Sequence, residues 1–456
     1  MRRTTSSFRR EKRWLAPALL TVALVPATPA AAAKWRLEPI SASEGVAGLH
    51  DLSFDSQGHA LLSWAGALQG REPPIFGGLA SRDPGGGWQR PPDLADVEPQ
   101  TARIHLYGES RALLVARQAR TTTSKRSLVI AEGGSDGGFG PLQVLDDFTV
   151  DSWSAANELG QALIAWTNER SPFIRVSERL PGQDPSPPPR DLAIATSAAV
   201  AINARGDRVL AFPESARRLG ARVRRAGGEW GPIVAFGHLA STKGIGLSAV
   251  VARNGRVVVT WGAVGRECGV SVGDVDGTWR TRRLERRCGP AAVGPHAAPV
   301  VPVADSGGAT YVAWTGHART GRRAVKFARV GPGASRRALV LSRQPAALLD
   351  AVAAGPGHAL AVTWTAPQPE KGKPFIVATF AAVRRAGGGF DADRLTPPTA
   401  VVARGSRVAF QPLTGEPVVA VPFLVGRTVA VGAAVGPPAP LGTQGSARAA
   451  RRAAVR

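Results

Sequence analysis

Hydrophobic positions in this 456-residue chain come in short runs and not in stripes of helical period. Residues 250–261 show the unit. An apolar run meets a tight turn at Asn254-Gly255, and a second β-branched run ends on Trp261, six residues after the glycine. Asn-Gly supplies the positive φ angles of a hairpin turn, and Val, Thr and Trp suit a pleated, buried surface. No long segment of period 3.6 occurs, and Gly 53 and Pro 37 are high counts for a helical protein. Many short strands and turns are therefore predicted.

The unit recurs. Turn glycines fall at Gly58, Gly108, Gly160, Gly206, Gly255, Gly308, Gly357 and Gly415, at spacings of 46 to 58 residues. Asp55, Asn157, Asn203 and Asp305 stand three residues before their glycine, as in a type I turn with Asx first and Gly fourth. Six residues past the glycine come Trp64, Trp166, Phe212, Trp261 and Trp314, whereas Trp364 is one residue later and Val421 takes the place in the last copy. The second copy, after Gly108, has no aromatic. A later turn leads into a further aromatic at Trp88, Phe139, Trp230, Trp279 and Phe390. Each copy thus reads as two hairpins in about 50 residues, the signature of a four-stranded propeller blade.

The predicted fold is all-β: a β-propeller of eight four-stranded blades. Seven blades and a cap are the alternative, because the second and last copies are degenerate. The last copy offers three strands, and residues 35–40 are an orphan strand that can supply its fourth. Such pairing closes the ring and removes two open sheet edges. Residues 34–436 make the propeller, and 437–456 read as a basic, disordered tail. Residues 181–190 form a proline-rich surface loop.

The Asx-x-x-Gly turn, the Trp six residues on and the later Gly-x-Trp hairpin resemble secreted bacterial β-propeller proteins of the broad sialidase-like group. The resemblance covers roughly residues 35–436 and implies a fold, not an activity. The Asp-box of sialidases has the form Ser-x-Asp-x-Gly-x-x-x-Trp, and Asp55-Ser-Gln-Gly58 departs from it in both spacings. Sialidase chemistry also requires a Tyr nucleophile, and only Tyr107, which adjoins the turn Gly108, and Tyr311, within a strand three residues before Trp314, exist; both read as structural.

Residues 1–33 read as a secretory signal peptide. Arg2, Arg3, Arg9, Arg10, Lys12 and Arg13 precede an apolar core at 14–25 and small residues at 30–33. The expected location is extracellular or in the cell envelope, and no later apolar run is long enough to span a membrane. The formal charge is +23; a leader with six basic residues and one acid leaves +18 in the mature chain. That balance suits an anionic partner, but only 7 of the 57 basic residues are Lys, as a high-GC genome produces in any protein. Cys268 and Cys288, the only two cysteines, flank a hairpin turn at Asp276-Gly277 and are expected to form a disulfide.

Candidate chemistry is sparse. Arg205-Gly206-Asp207 matches an adhesion tripeptide but falls on a repeat turn. Gly133 to Gly137 matches a bare Gly-x-Ser-x-Gly pattern with no helix after it. The seven His are scattered, so no metal ligands and no cofactor are expected. Loops joining second and third strands carry a summed charge of +10, to which Arg117, Arg120, Lys125, Arg126, Arg319, Arg322 and Arg323 contribute most. The reading is a secreted, non-enzymatic binding or scaffold module for an anionic polymer or an extracellular protein, with nucleic acid disfavoured. The competing reading is a sialidase-like glycoside hydrolase or a polysaccharide lyase.

Overall fold

The computed structural model describes residues 35–41, 46–66, 76–92, 94, 96–119, 126–181, 189–274, 277–290, 299–318, 320–334, 337–368, 377–385, 388–396, 405–425 and 428–438. The leader, nearly all of the basic tail, and Arg120, Lys125 and Arg319 lie outside the described residues. Among the described residues no helix is long and apolar enough to cross a membrane.

The described residues form eight four-stranded antiparallel sheets. Blades 1 to 7 use consecutive strands over residues 46–89, 103–146, 149–194, 199–238, 246–285, 300–340 and 348–394. Blade 8 combines Arg407–Phe410, Pro417–Val425 and Thr428–Val435 with the N-terminal strand Arg36–Pro39. Arg36 pairs with Val435 and Pro39 with Gly432, so the expected closure between the chain's two ends is present. The first strands of successive blades touch in order, and that of blade 8 touches that of blade 1, which makes them the inner ring. The chain is thus an eight-bladed β-propeller, not seven blades and a cap.

Both faces of each blade are apolar, which explains near-continuous runs such as Ala-Leu-Leu-Ser-Trp-Ala-Gly in the wholly buried strand Ala60–Gly66. The core divides into eight clusters, one for each interface between consecutive blades. The repeated aromatic always enters the interface with the preceding blade. Trp64 packs with Val418 and Val431 of blade 8, and Trp166 with Leu113 and Ile130 of blade 2.

The turn that precedes each aromatic follows one rule. The residue six positions earlier has a left-handed backbone in all eight blades: Gly58, Ser110, Gly160, Gly206, Gly255, Gly308, His358 and Gly415, with φ between 65° and 93°. Gly108 (φ 58°) and Gly357 (φ 62°) are left-handed as well, but Ser110 and His358 (both φ 65°) stand six residues before the slot and are the equivalents of Gly58. This removes the irregularity of the second and seventh copies. Trp364 stands six residues after His358, and the slot six after Ser110 is filled by the buried Ala116.

In the four turns that have one, the Asx side chain holds the turn and reaches the next blade. One oxygen of Asn203 accepts the N–H groups of Arg205 (3.0 Å) and Asp207 (2.9 Å), while its amide donates to the Ala252 carbonyl of blade 5 at 3.0 Å. Asn157 donates likewise to the Asn203 carbonyl at 3.0 Å, and Asp55 accepts the Ser110 N–H of blade 2 at 3.0 Å. Cys268 and Cys288 form the expected disulfide, with Cα atoms 5.9 Å apart. Closing a loop of about 20 residues stabilises by roughly 3 kcal/mol in the chain-entropy account.

The aromatic also dictates its cross-strand neighbour. Trp64 lies opposite Gly78 and Trp261 opposite Gly269. A Cβ at Gly78 would stand 2.1 Å from the Trp64 ring, and one at Gly269 2.3 Å from Trp261. Gly78→Ala and Gly269→Ala should each destabilise by about 1–3 kcal/mol through overpacking. Gly87→Ala, where a Cβ meets nothing within 4 Å, should change stability by less than about 0.5 kcal/mol. Urea denaturation of the three variants checks this; equal effects at all three would contradict it.

Candidate functional site on the propeller axis

The inner ring is uneven in chemistry. The residue paired opposite the one before each aromatic slot defines one level of that ring. In blades 1 to 7 it is Asp51, Arg103, Trp153, Ala199, Ser248, Val301 and Ala351, and in blade 8 it is Arg407. Blades 4 to 7 thus carry small or apolar residues there. Blades 8, 1, 2 and 3 carry Arg407, Asp51, Arg103 and Trp153 in succession.

Two bulges frame this arc. In blade 1 the register passes from Leu49 to Asp51 and leaves His50 unpaired; in blade 7 it passes from Leu349 to Ala351 and leaves Asp350 unpaired. A bulge re-aims a side chain and releases it from the ladder. Arg407, on the blade between, donates from Nε to the His50 carbonyl at 2.8 Å and from Nη1 to the Ser406 carbonyl at 3.0 Å. Asp350 accepts from Thr365 (2.7 Å) and Ser406 (2.9 Å) through one oxygen. Its other oxygen, and Nε2 of His50, are buried with no protein partner.

The central carboxylate is hydrogen-bonded to backbone and pairs with neither arginine. Asp51 accepts the N–H groups of Leu52 and Ile104, both at 3.0 Å. Arg103 is exposed, and its Nη1 donates to the Ala102 carbonyl at 3.0 Å. Neither Arg103 nor Arg407 forms an ion pair among the described residues, so most of their N–H donors are uncommitted. Burial, then the charges of Arg103 and Arg407, pushes His50 down to about 3. His105 is also lowered, by burial first and Arg103, against the pull of Asp51; it meets the Ser154 hydroxyl at 2.8 Å. Burial and the neighbouring Arg103 lower Arg407 to about 10, so it stays charged at neutral pH. The arc therefore presents two guanidiniums, two neutral imidazoles and one carboxylate tied to the backbone.

The loop residues singled out by charge are placed differently. Arg117 and Arg126 share one carboxylate: Glu98 lies 3.0 Å from Arg117 Nη2 and 3.1 Å from Arg126 Nε. Arg322 and Arg323 are exposed on blade 6, four blades away from that pair. Among the described residues the set forms no single patch. Asp207 of the adhesion-like tripeptide is buried and bonded to Asn203, Arg205 and the Ala226 N–H, so it serves the turn. Tyr311 is buried, with its hydroxyl held between Asp305 (3.3 Å) and Arg384 (3.0 Å). Gly133 to Gly137 is a turn, with the Gly137 N–H bonded to the Gly134 carbonyl at 3.1 Å. No three His, Cys, Asp or Glu are grouped for a metal ion among the described residues.

No protein-family model matches the chain, and no curated protein matches it in sequence. Among solved structures it is similar to the Dos1 propeller, at 9% identity and TM-score 0.51, over 88% of this chain and 95% of that one. It is similar also to the six-bladed fungal lectin of Aleuria aurantia, at 12% identity and TM-score 0.37, over 65% and 96% of the two chains. A third is the NanB sialidase of Streptococcus pneumoniae, at 11% identity and TM-score 0.37, over 73% and 67%. These likenesses are of fold alone.

The two bulge residues make opposite pH predictions. Burial raises Asp350 to about 6, outweighing the hydrogen bonds of Thr365 and Ser406 and the charge of Arg407. In the unfolded chain an Asp titrates near about 4. The folded state thus keeps a proton that the unfolded state releases, and stability drops as pH rises from about 4 to 6. Asp350→Asn should abolish that drop, on the order of 3 kcal/mol. His50, held neutral, adds stability above about pH 6.5 that is lost as pH falls toward 3. His50→Gln should flatten that acid limb. Denaturation midpoints of both variants against pH test this; parallel curves for variants and wild type would contradict it.

Proposed function

We propose that this protein is an exported, non-enzymatic binding propeller that engages an anionic extracellular partner on its axis. The observation that carries the reading is the pair Arg103 and Arg407. They flank Asp51 on adjoining inner strands, and neither forms an ion pair among the described residues. A guanidinium presents a planar fork of donors that matches carboxylate, sulfate and phosphate groups, and charge-assisted bonds of this kind are the strong ones. Trp153, half-buried on the next blade, adds an aromatic surface for the body of the ligand. Export is supported by the basic and apolar leader, and by a disulfide that persists only in an oxidising compartment. A binding role is supported by the tyrosines, which are buried in the strands Arg103–Tyr107 and Thr310–His317, and by the carboxylates of the arc, which are held by backbone and hydroxyl donors. Arg322 and Arg323 serve as an outer basic surface that draws the partner in.

Calorimetric titration with polygalacturonate at two ionic strengths tests the reading. Arg103→Ala and Arg407→Ala should each weaken binding about 10- to 100-fold, the equivalent of one charge-assisted hydrogen-bonded contact. The double variant Arg322→Ala/Arg323→Ala should weaken it by less than about threefold and mainly at low salt. Loss confined to the loop variant, or no binding by the wild type, would overturn the axial site.

A further inference from the structure

A second feature stands apart from the axis, between blades 4 and 5. A cavity of about 480 Å³ is lined by Leu239, Ile245 and Ala263 below and by Arg266, Glu267 and Arg286 at its mouth. That volume lies within the range of small-molecule sites, which is roughly 300–1,000 Å³. Its floor is apolar and fixed: Leu239 is 2% exposed and Ile245 8%. The loop that carries them is tied to blade 4, with the Leu239 N–H on the Arg217 carbonyl at 2.8 Å and the Thr242 N–H on the Ala216 carbonyl at 2.9 Å.

The mouth is basic. Arg266 and Arg286 are both exposed, and neither forms an ion pair among the described residues. Glu267 does not neutralise them, because it accepts the Ala240 N–H at 3.2 Å and stands 3.9 Å from Arg283. Each of the two arginines sits two residues before a half-cystine, Cys268 or Cys288. The Cys288 N–H bonds to the Arg266 carbonyl at 2.8 Å, and the Gly265 N–H to the Cys288 carbonyl at 2.9 Å. The chain's one disulfide therefore fixes, side by side, the two loop segments that bear the arginines. Loop segments held this way lose less entropy when a ligand orders them.

We propose that this cavity binds a small organic anion with an apolar body, its acidic group held by Arg266 and Arg286 and its body on Leu239, Ile245 and Ala263. The disulfide sets the spacing of the arginine clamp. The site is independent of the axial one, because none of its lining residues belongs to the inner ring.

Anilinonaphthalene sulfonate, an aromatic anion whose fluorescence rises in apolar surroundings, is the probe. The folded, oxidised protein should bind it at one saturable site. Arg266→Ala and Arg286→Ala should each weaken binding about tenfold, and Ala263→Trp, which fills the cavity, should abolish it. The uncharged phenylnaphthylamine should bind at least tenfold more weakly. Mild reduction should weaken binding at least fivefold while the circular dichroism of the sheets is retained, which separates loss of the clamp from loss of the fold. Arg103→Ala should leave probe binding unchanged, so failure of the axial site and failure of this one are read separately. Unaltered affinity in the Arg266, Arg286 and Ala263 variants, or equal affinity for the uncharged compound, would overturn the proposal.

Discussion

In the repeat turns of blades 1, 3, 4 and 6 the Asx side chain (Asp55, Asn157, Asn203 and Asp305) does two things at once. One oxygen closes its own turn, as Asn203 does for Arg205 and Asp207, and the other end crosses to the next blade, as Asn203 does to Ala252. A blade apolar on both faces is not stable in water, so each must be buried against two neighbours. Where they occur, the Asx bond and the aromatic set into the preceding blade fix the height of one blade against its neighbour. Levels of the inner ring are meaningful for that reason.

The axial arc is a product of closure. Asp51 and Arg407 are more than 350 residues apart in the chain. They become neighbours only because Arg36–Pro39 completes blade 8 and brings its first strand against that of blade 1. Closure alone would give a ring of small residues, as in blades 4 to 7. Arg407, Asp51 and Arg103 make the other half polar, the bulges add His50 and Asp350 beside it, and the unpartnered atoms of those two are a local loss of stability that packing elsewhere offsets. Two like charges beside one carboxylate leave a site whose electrostatics favour a further negative group.

The blade count, the closing strand and the disulfide are all legible in the sequence, since each depends on local turn chemistry repeated at a steady period. The axial arc is not, for a specific reason. Aligning the copies on glycine places Gly108 and Gly357 at the turn, whereas the left-handed residues six before the slot are Ser110 and His358. With those two in place, Asp51, Arg103 and Trp153 all stand seven residues before the turn residue, and Arg407 eight before Gly415 in the longer last turn. The column then stands out among Ala, Ser and Val. Counting charge on loops fails differently: it cannot see that Glu98, from the connection between blades 1 and 2, meets both Arg117 and Arg126. The cavity between blades 4 and 5 joins two loops whose residues carry no motif, so only the fold brings them together.

The central claim is that the two axial arginines form an anion site. A crystal structure of the protein grown in bromide, with anomalous scattering recorded at the bromine edge, tests it most directly. The account predicts an anomalous peak within hydrogen-bond distance of the guanidiniums of Arg103 and Arg407. Bromide on Arg322 and Arg323 with none at the axis would contradict it.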